Sequence, residues 1–592
     1  MSRFHLMLAA GMSISLVSAC SQSNNIASPS QALSGAAGSN GQAVNEEADA
    51  SAIIVTAQAT GTAQTAMPSA KSAVLSEALV ASPPPVASYI MVTGSAHKAS
   101  MPRSDLTTPY YQESGRDKFT TFEQNAFKVT IDEPVSTFSI DVDTASYAFV
   151  RASLSRNVLP QSAAVRTEEL INYFPYDYAA PKNPQRPFST DIAVLPSPWT
   201  KGRKLVRVGI KGYAIERVAR PRANLVFLID TSGSMNDPAK LPLVKQSLAM
   251  LLDQLDDNDR VSIVTYAGNA GTALEPTPAG QKAKIFAALN QLGAHGSTAG
   301  AEGIRQAYSL AERNLDPRGV NRVILATDGD FNVGITDQNE LKSFVERERG
   351  KGIFLSVLGF GMGNYNDALM QTLAQNGNGA AAYIDTLGEA RKTLVDEINS
   401  TLFPIAKDVK IQVEFNPATV AEYRLVGYET RMLKREDFDN DKIDAGEVGS
   451  GQSVTAIYEI VPVGGPRAIG DLRYSKSAPR VAGAEMGKEY GFVKIRYKLP
   501  KSNTSQLIST PVNPSMEFSR FEDAPQDVRF AVGVASFAEL LRGGRYNGAM
   551  SYEDILKIVS DARGRDEFGY RTELANLVRS VKSASAIEQQ IR

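Results

Sequence analysis

Cysteine is almost absent from this chain. Its 592 residues hold one, Cys20, so no intrachain disulfide can form. Histidine is nearly as scarce, at positions 5, 97 and 295, and one cysteine with three histidines cannot build an ordinary zinc cluster. No nucleophile elbow stands beside those histidines. Charge of one sign is lacking too: the formal net charge of −2 gives no electrostatic case for nucleic acid or an anionic membrane. The apolar run at residues 4–16 is too short to span a bilayer. Residues 21–117 have few large apolar side chains and are rich in Ala, Ser, Gly, Thr, Pro and Gln. Such a segment cannot bury enough surface to offset its ordering entropy, so it reads as a flexible tether. Two β-like spots within it, at 53–56 and 90–93, read as chance, with a docking strand for a partner's sheet edge as the alternative.

What is present centres on one stretch. Leu225, Val226, Phe227, Leu228 and Ile229 form a continuous apolar run, suited to a strand buried on both faces of a parallel sheet. Asp230, Ser232 and Ser234 follow at alternate positions around Gly233. One carboxylate and two hydroxyls within five residues make a compact set of hard oxygen donors. A hard cation such as Mg²⁺ takes six oxygens at roughly 2.1 Å and keeps some of its water. The plainer account is a strand end whose Asp and Ser cap the next helix. Two more pieces follow: a Gly-flanked hydroxyl loop carrying Thr298, and a second apolar strand ending in Asp328-Gly329. Open α/β sheets bind ligands at the carboxyl ends of their strands, so these three loops can converge on one ion.

Over residues 224–402 these motifs, in this order, resemble the von Willebrand factor A (VWA) domain and its metal-ion-dependent adhesion site (MIDAS). The resemblance implies that Ser232, Ser234 and Thr298 contact a divalent cation, Mg²⁺ first and Mn²⁺ or Ca²⁺ as alternatives. Asp230 and Asp328 would reach it directly or through water. It also implies that an acidic residue of a protein partner fills the open coordination position. His295, just before the hydroxyl loop, reads first as a loop histidine and second as a partner contact. Asp330 is the nearest candidate for a general base, against a plain loop residue.

The N-terminus reads as a processing signal, with Arg3 ahead of the apolar run and Val17-Ser18-Ala19-Cys20 resembling a bacterial lipobox. Cys20 is then the acylation site, and the expected location is the bacterial cell envelope, with Ser21 favouring the outer membrane. The expected division is a signal at 1–20, a tether at 21–117, an N-terminal α+β segment at 118–220, the VWA domain at 221–403, a β-rich segment at 404–510 and a helical segment at 511–592.

Along the ordered part, residues 136–141 alternate like a strand, and Asp143 or Thr144 is placed to cap the helix whose face is Tyr147, Val150 and Leu154. Strand candidates at 188–195 and 204–210 flank Trp199, read as core. Inside 221–403 strands and helices alternate, the pattern of a doubly wound, mostly parallel, Rossmann-like sheet, closed by a helix over 387–402. After Pro404 the apolar period becomes two, as at Val409, Ile411, Val413 and Phe415. Neither flank has strands enough for a sheet of its own, so the flanks are expected to pair into one β-domain with the α/β domain inserted. The Asp437–Asp444 run has Lys442 and Val448 where an EF-hand loop needs Gly and Glu, and reads as a solvated acidic turn rather than a calcium site. C-terminal helices are expected around Val528, Ile555 and Leu574. The layout resembles a bacterial lipoprotein family with a VWA domain between a characteristic N-terminal segment and a C-terminal region.

Three functions are in play. The leading one is a non-enzymatic binding protein, with no nucleic acid and no small-molecule cofactor. The second is a metal-dependent envelope hydrolase. The third is a scaffold in which the ion only stiffens the loops.

Overall fold

The computed structural model describes residues 117–591 apart from 141–142, 297–299, 330–337, 364, 444 and 471–485. The signal, Cys20, residues 21–116 of the tether, Thr298 and Asp330 lie outside the described residues.

The apolar run becomes the strand Ala223–Asp230, buried at every position. It lies between the parallel strands Val320–Thr327 and Arg260–Tyr266, with Phe227 level with Ile324 and Ile263. Ile353–Phe360 and Ala381–Ile384 extend the parallel part, and Ala270–Pro278 closes the other edge antiparallel to Arg260–Tyr266. Alternate side chains of one strand point to opposite faces. Val226 and Leu228 accordingly enter one core with Ile304, Tyr308 and Val345. Leu225, Phe227 and Ile229 enter another with Val244, Leu248 and Leu251. Double burial of this kind is why the run reads as unbroken apolar rather than alternating.

The flanks do pair. Val135–Ser139, ahead of the α/β domain, lies antiparallel to Pro404–Phe415 after it, with Phe138 level with Ile411. Lys204–Gly212 pairs in the same way with Ser453–Pro462, Val208 level with Ala456. Both sheets are therefore built from the two ends of the chain, and their inner faces share one core containing Val208, Ile411, Ile457's neighbour Tyr458 and Ile495. The α/β domain is an insertion between the strands that end at Gly212 and start at Pro404.

Three helices, Gln526–Leu541, Tyr552–Asp561 and Tyr570–Ile591, pack on the outside of this β-domain through Leu195, Leu205 and Ile457. Ser551 and Asp554 form a capping box at the second of them. Trp199 is buried there and donates its indole N–H to Ser536 Oγ at 2.8 Å. Helix Ala145–Ser155 ties the parts together. Its Tyr147–Val150–Leu154 face joins the C-terminal helices, while Ala148, Phe149 and Ala152 pack against the α/β sheet.

Two local expectations are corrected. Neither Asp143 nor Thr144 caps that helix with its side chain. Asp143 instead accepts from the Ala381 backbone N–H at 2.8 Å and from Arg431 at 2.9 Å, so it links the β-domain to the α/β sheet. The closing helix over 387–402 is broken into Leu387–Arg391, a wide turn at Lys392–Asp396, and Ile398–Leu402. In the wide turn the Lys392 ammonium is buried over the Tyr173 ring, 4.3 Å from its centroid, and pairs with Glu397.

Candidate functional site

Sheet order positions the site. Asp230 ends one strand, and Asp328 directly follows its parallel neighbour Val320–Thr327. Ile229 is level with Ala326, so both carboxylates arrive at the same end of the sheet. Gly329 then turns with φ of 97°, a left-handed conformation that suits glycine.

Both carboxylates are fully buried. Asp230 Oδ1 accepts the Ser232 backbone N–H at 2.9 Å, and Oδ2 faces the Thr327 hydroxyl at 3.4 Å. Burial pushes the Asp230 carboxyl up to about 6; the Ser232 bonds and the Tyr266 hydroxyl oppose that shift, while the charge of Asp328 adds to it. A buried carboxylate held this way is short of positive charge. The Ser232 and Ser234 hydroxyl oxygens lie 3.1 Å apart, Ser232 inside and Ser234 exposed. The donor set therefore has a buried, charged floor and a hydroxyl rim open to solvent.

The third loop is laced to the first by backbone. His295 donates its N–H to the Thr231 carbonyl at 2.8 Å, and Gly233 donates to the Gly296 carbonyl at 3.1 Å. Helix Gly300–Arg313 starts just beyond. His295 and Gly296 are thus fixed at the Asp-x-Ser-x-Ser turn; Thr298 lies outside the described residues, as does Asp330. His295 is exposed on this loop.

One functional neighbour escaped the sequence reading. Lys240 Nζ sits 2.8 Å from Asp328 Oδ2, with its side chain only 12% exposed. An ammonium thus stands against the carboxylate floor as a stand-in cation, which is the test that a positive charge fits there. No spacing rule links Lys240 to Asp328, so the sequence carries no signal for the contact. Among the described residues no three carboxylate, thiol or imidazole groups cluster as a metal site. A hydroxyl-rich set of two carboxylates and two serines is the alternative donor chemistry that suits a hard ion.

The sequence comparisons agree with this geometry. Residues 224–397 match the von Willebrand factor type A domain, residues 113–207 the von Willebrand factor family and residues 400–584 the C-terminal family of the uncharacterized protein YfbK. Over 482 residues, 80% of this chain and 83% of the other, it is 41% identical to YfbK of Escherichia coli (strain K12). The chain belongs to the YfbK family. Within this family member the inserted α/β domain is a VWA domain. The chain also resembles human inter-alpha-trypsin inhibitor heavy chain H3, at 27% identity over 203 residues, 33% of this chain and 22% of the heavy chain. Among solved structures, von Willebrand factor type A from Catenulispora acidiphila covers 66% of this chain and 89% of its own at 14% identity and a TM-score of 0.39. BatB from Bacteroides thetaiotaomicron covers 30% and 97% at 25% identity and a TM-score of 0.26.

Proposed function

We propose that this YfbK-family protein is a non-enzymatic binding protein whose VWA domain uses a divalent cation to take an acidic side chain of a protein partner. The residues that would hold the ion are Asp230, Ser232, Ser234, Thr298 and Asp328, and Mg²⁺ suits their all-oxygen character. When bound, the ion supplies a positive, exchangeable coordination position facing solvent. The chain's own contribution is to hold the charged floor dry, orient the two serine hydroxyls, and present the rim. The observation that carries this reading is the Lys240 ammonium against the buried Asp328 carboxylate, at the sheet end where Asp230 leads into a serine pair with one member exposed. Both carboxylates are engaged in fixed contacts, with Ser232 and Thr327 for Asp230 and with Lys240 for Asp328, which favours charge-holding over proton transfer.

The test is partner capture by intact protein, by protein in chelator and by Asp230→Ala. Capture confined to the intact, metal-loaded protein supports the reading, and equal capture in all three rejects it. We also propose that acylation of Cys20 anchors the protein in the cell envelope, which rests on the lipobox-like Val17-Ser18-Ala19-Cys20. Metabolic labelling with a fatty acid that persists in Cys20→Ala would reject the anchor.

A further inference from the structure

The face of the VWA domain turned toward the β-domain holds a second polar site. A cavity of about 750 Å³ lies there, with walls from both parts of the molecule. Arg322, third residue of the strand Val320–Thr327, lines it from the VWA side, and Lys211 lines it from the β-domain. Asp328 follows the other end of the Arg322 strand, so six residues at about 3.3 Å each put the cavity roughly 20 Å from the metal site.

Arg322 is 2% exposed, yet it takes part in none of the ion pairs among the described residues. Its Nη1 donates to Ser356 Oγ at 2.6 Å and its guanidinium stands over the Phe354 ring, but its Nε has no hydrogen-bond partner. Burial pulls the guanidinium down to about 10, with Glu447 as the largest opposing charge. Lys211 is also depressed by burial, and its ammonium donates to Ser453 Oγ at 2.9 Å rather than to an acid. The acidic groups of the walls are engaged elsewhere. Asp143 holds Arg431, Asp396 takes the Tyr570 hydroxyl at 3.1 Å, Glu447 takes the Asn378 amide at 2.8 Å, Glu397 pairs with Lys392, and Glu346 stands 3.9 Å from Lys342. A buried guanidinium short of a counter-charge is unfavourable unless something supplies one. The volume suits a small organic molecule, and the wall amides of Asn376, Asn378 and Asn399 offer it neutral hydrogen bonds.

We propose that this cavity binds a small polar carboxylic acid, its carboxylate against Arg322 and Lys211 and its hydroxyl or amide groups against the wall amides. Because both parts supply walls, and the chain passes between them at residues 211–215 and 401–404, the bound acid would brace the VWA domain against the β-domain.

The experiment is calorimetric titration and thermal melting of the full processed chain with succinate, N-acetyl-glutamate and glucuronate, each at matched ionic strength. All are run in chelator, which removes any binding of acids at the metal site and separates this proposal from the previous one. Inorganic phosphate is a parallel arm. Saturable millimolar or tighter binding of at least one carboxylate is expected, weakened about tenfold or more in Lys211→Met and abolished in Arg322→Met. Arg322→Met is also expected to melt no lower than the unliganded parent. No saturable carboxylate binding, binding of phosphate alone, or binding unchanged in the partly exposed Lys211→Met overturns the proposal.

Discussion

Lys240→Met is the sharpest perturbation of the metal site, because it separates an internal stand-in cation from a structural bridge. The Lys240–Asp328 contact is a charge-assisted hydrogen bond of 2.8 Å between a side chain 12% exposed and one fully buried, so solvent screens it little. Such bonds contribute about 1.5–3 kcal/mol. Removing the ammonium leaves a buried carboxylate close to a second one, Asp230, whose carboxyl the Asp328 charge already pushes up. The metal-free protein should therefore lose about 2 kcal/mol, roughly 4–8 °C in melting temperature for a domain of this size. If the ammonium withdraws when a divalent ion enters, the ion-bound protein loses nothing from the change. The whole difference then appears as tighter metal binding, about 30-fold at 1.4 kcal/mol per factor of ten. Isothermal titration with Mg²⁺, alongside melts in chelator, reads both quantities. Mg²⁺ affinity that is unchanged or weaker in Lys240→Met would refute the reasoning, and would mean that Lys240 orients Asp328 for the ion instead of competing with it.

The Asp230 carboxyl is raised to about 6 from an ordinary 3.8, so its contribution to stability is present below the ordinary value and lost as pH rises through 6. In chelator that amounts to about 3 kcal/mol; Asp230→Asn should flatten melts between these limits, raise stability above them and abolish metal binding, and a parent melt with no slope there would contradict the assignment. For the intact protein, Mg²⁺ affinity should fall as pH drops below about 6, read by titration at several pH values, because the ion requires the ionised carboxylate. Arg151→Met strands Glu389, paired at 2.8 Å, and Asp385, both nearly buried, and should cost about 3–5 kcal/mol in denaturant unfolding. Gly449→Ala would place a methyl 1.6 Å from the Ser400 carbonyl oxygen, where the β-domain meets the last VWA helix; faster amide exchange over Ile398–Leu402 is the expected sign.

The β-domain shows how far a pattern can be pushed. The period of two after Pro404 and the two strands around Trp199 were each too few for a sheet, and only pairing of the flanks resolved the shortage. That pairing is realised as Phe138 against Ile411 and Val208 against Ala456. The edge strand Ala270–Pro278 went unread because its side chains are mostly half-buried or exposed and carry little apolar signal. The small-residue face of helix Ala145–Ser155 went unread for a related reason. Alanines are compatible with either surface or core, and only the close approach of the VWA sheet decides which. Asp143 was assigned to a cap because its position suits one, yet the Ala381 N–H and Arg431 offered partners that no local rule contains.

The sequence by itself determined whatever depends on near neighbours along the chain. That covers the doubly buried strand Ala223–Asp230, the turn that sets Ser232 beside Ser234, the capped helix at Ser551 and the identity of the VWA motifs. Their physics operates within a few residues, so spacing is enough to carry it. Tertiary structure alone decided the contacts between remote residues: Lys240 on Asp328, 88 positions apart, the cavity around Arg322, and the seating of helix Ala145–Ser155 between the C-terminal helices and the VWA sheet. Such contacts depend on how sheets and helices pack in space, and no periodicity along the chain records it.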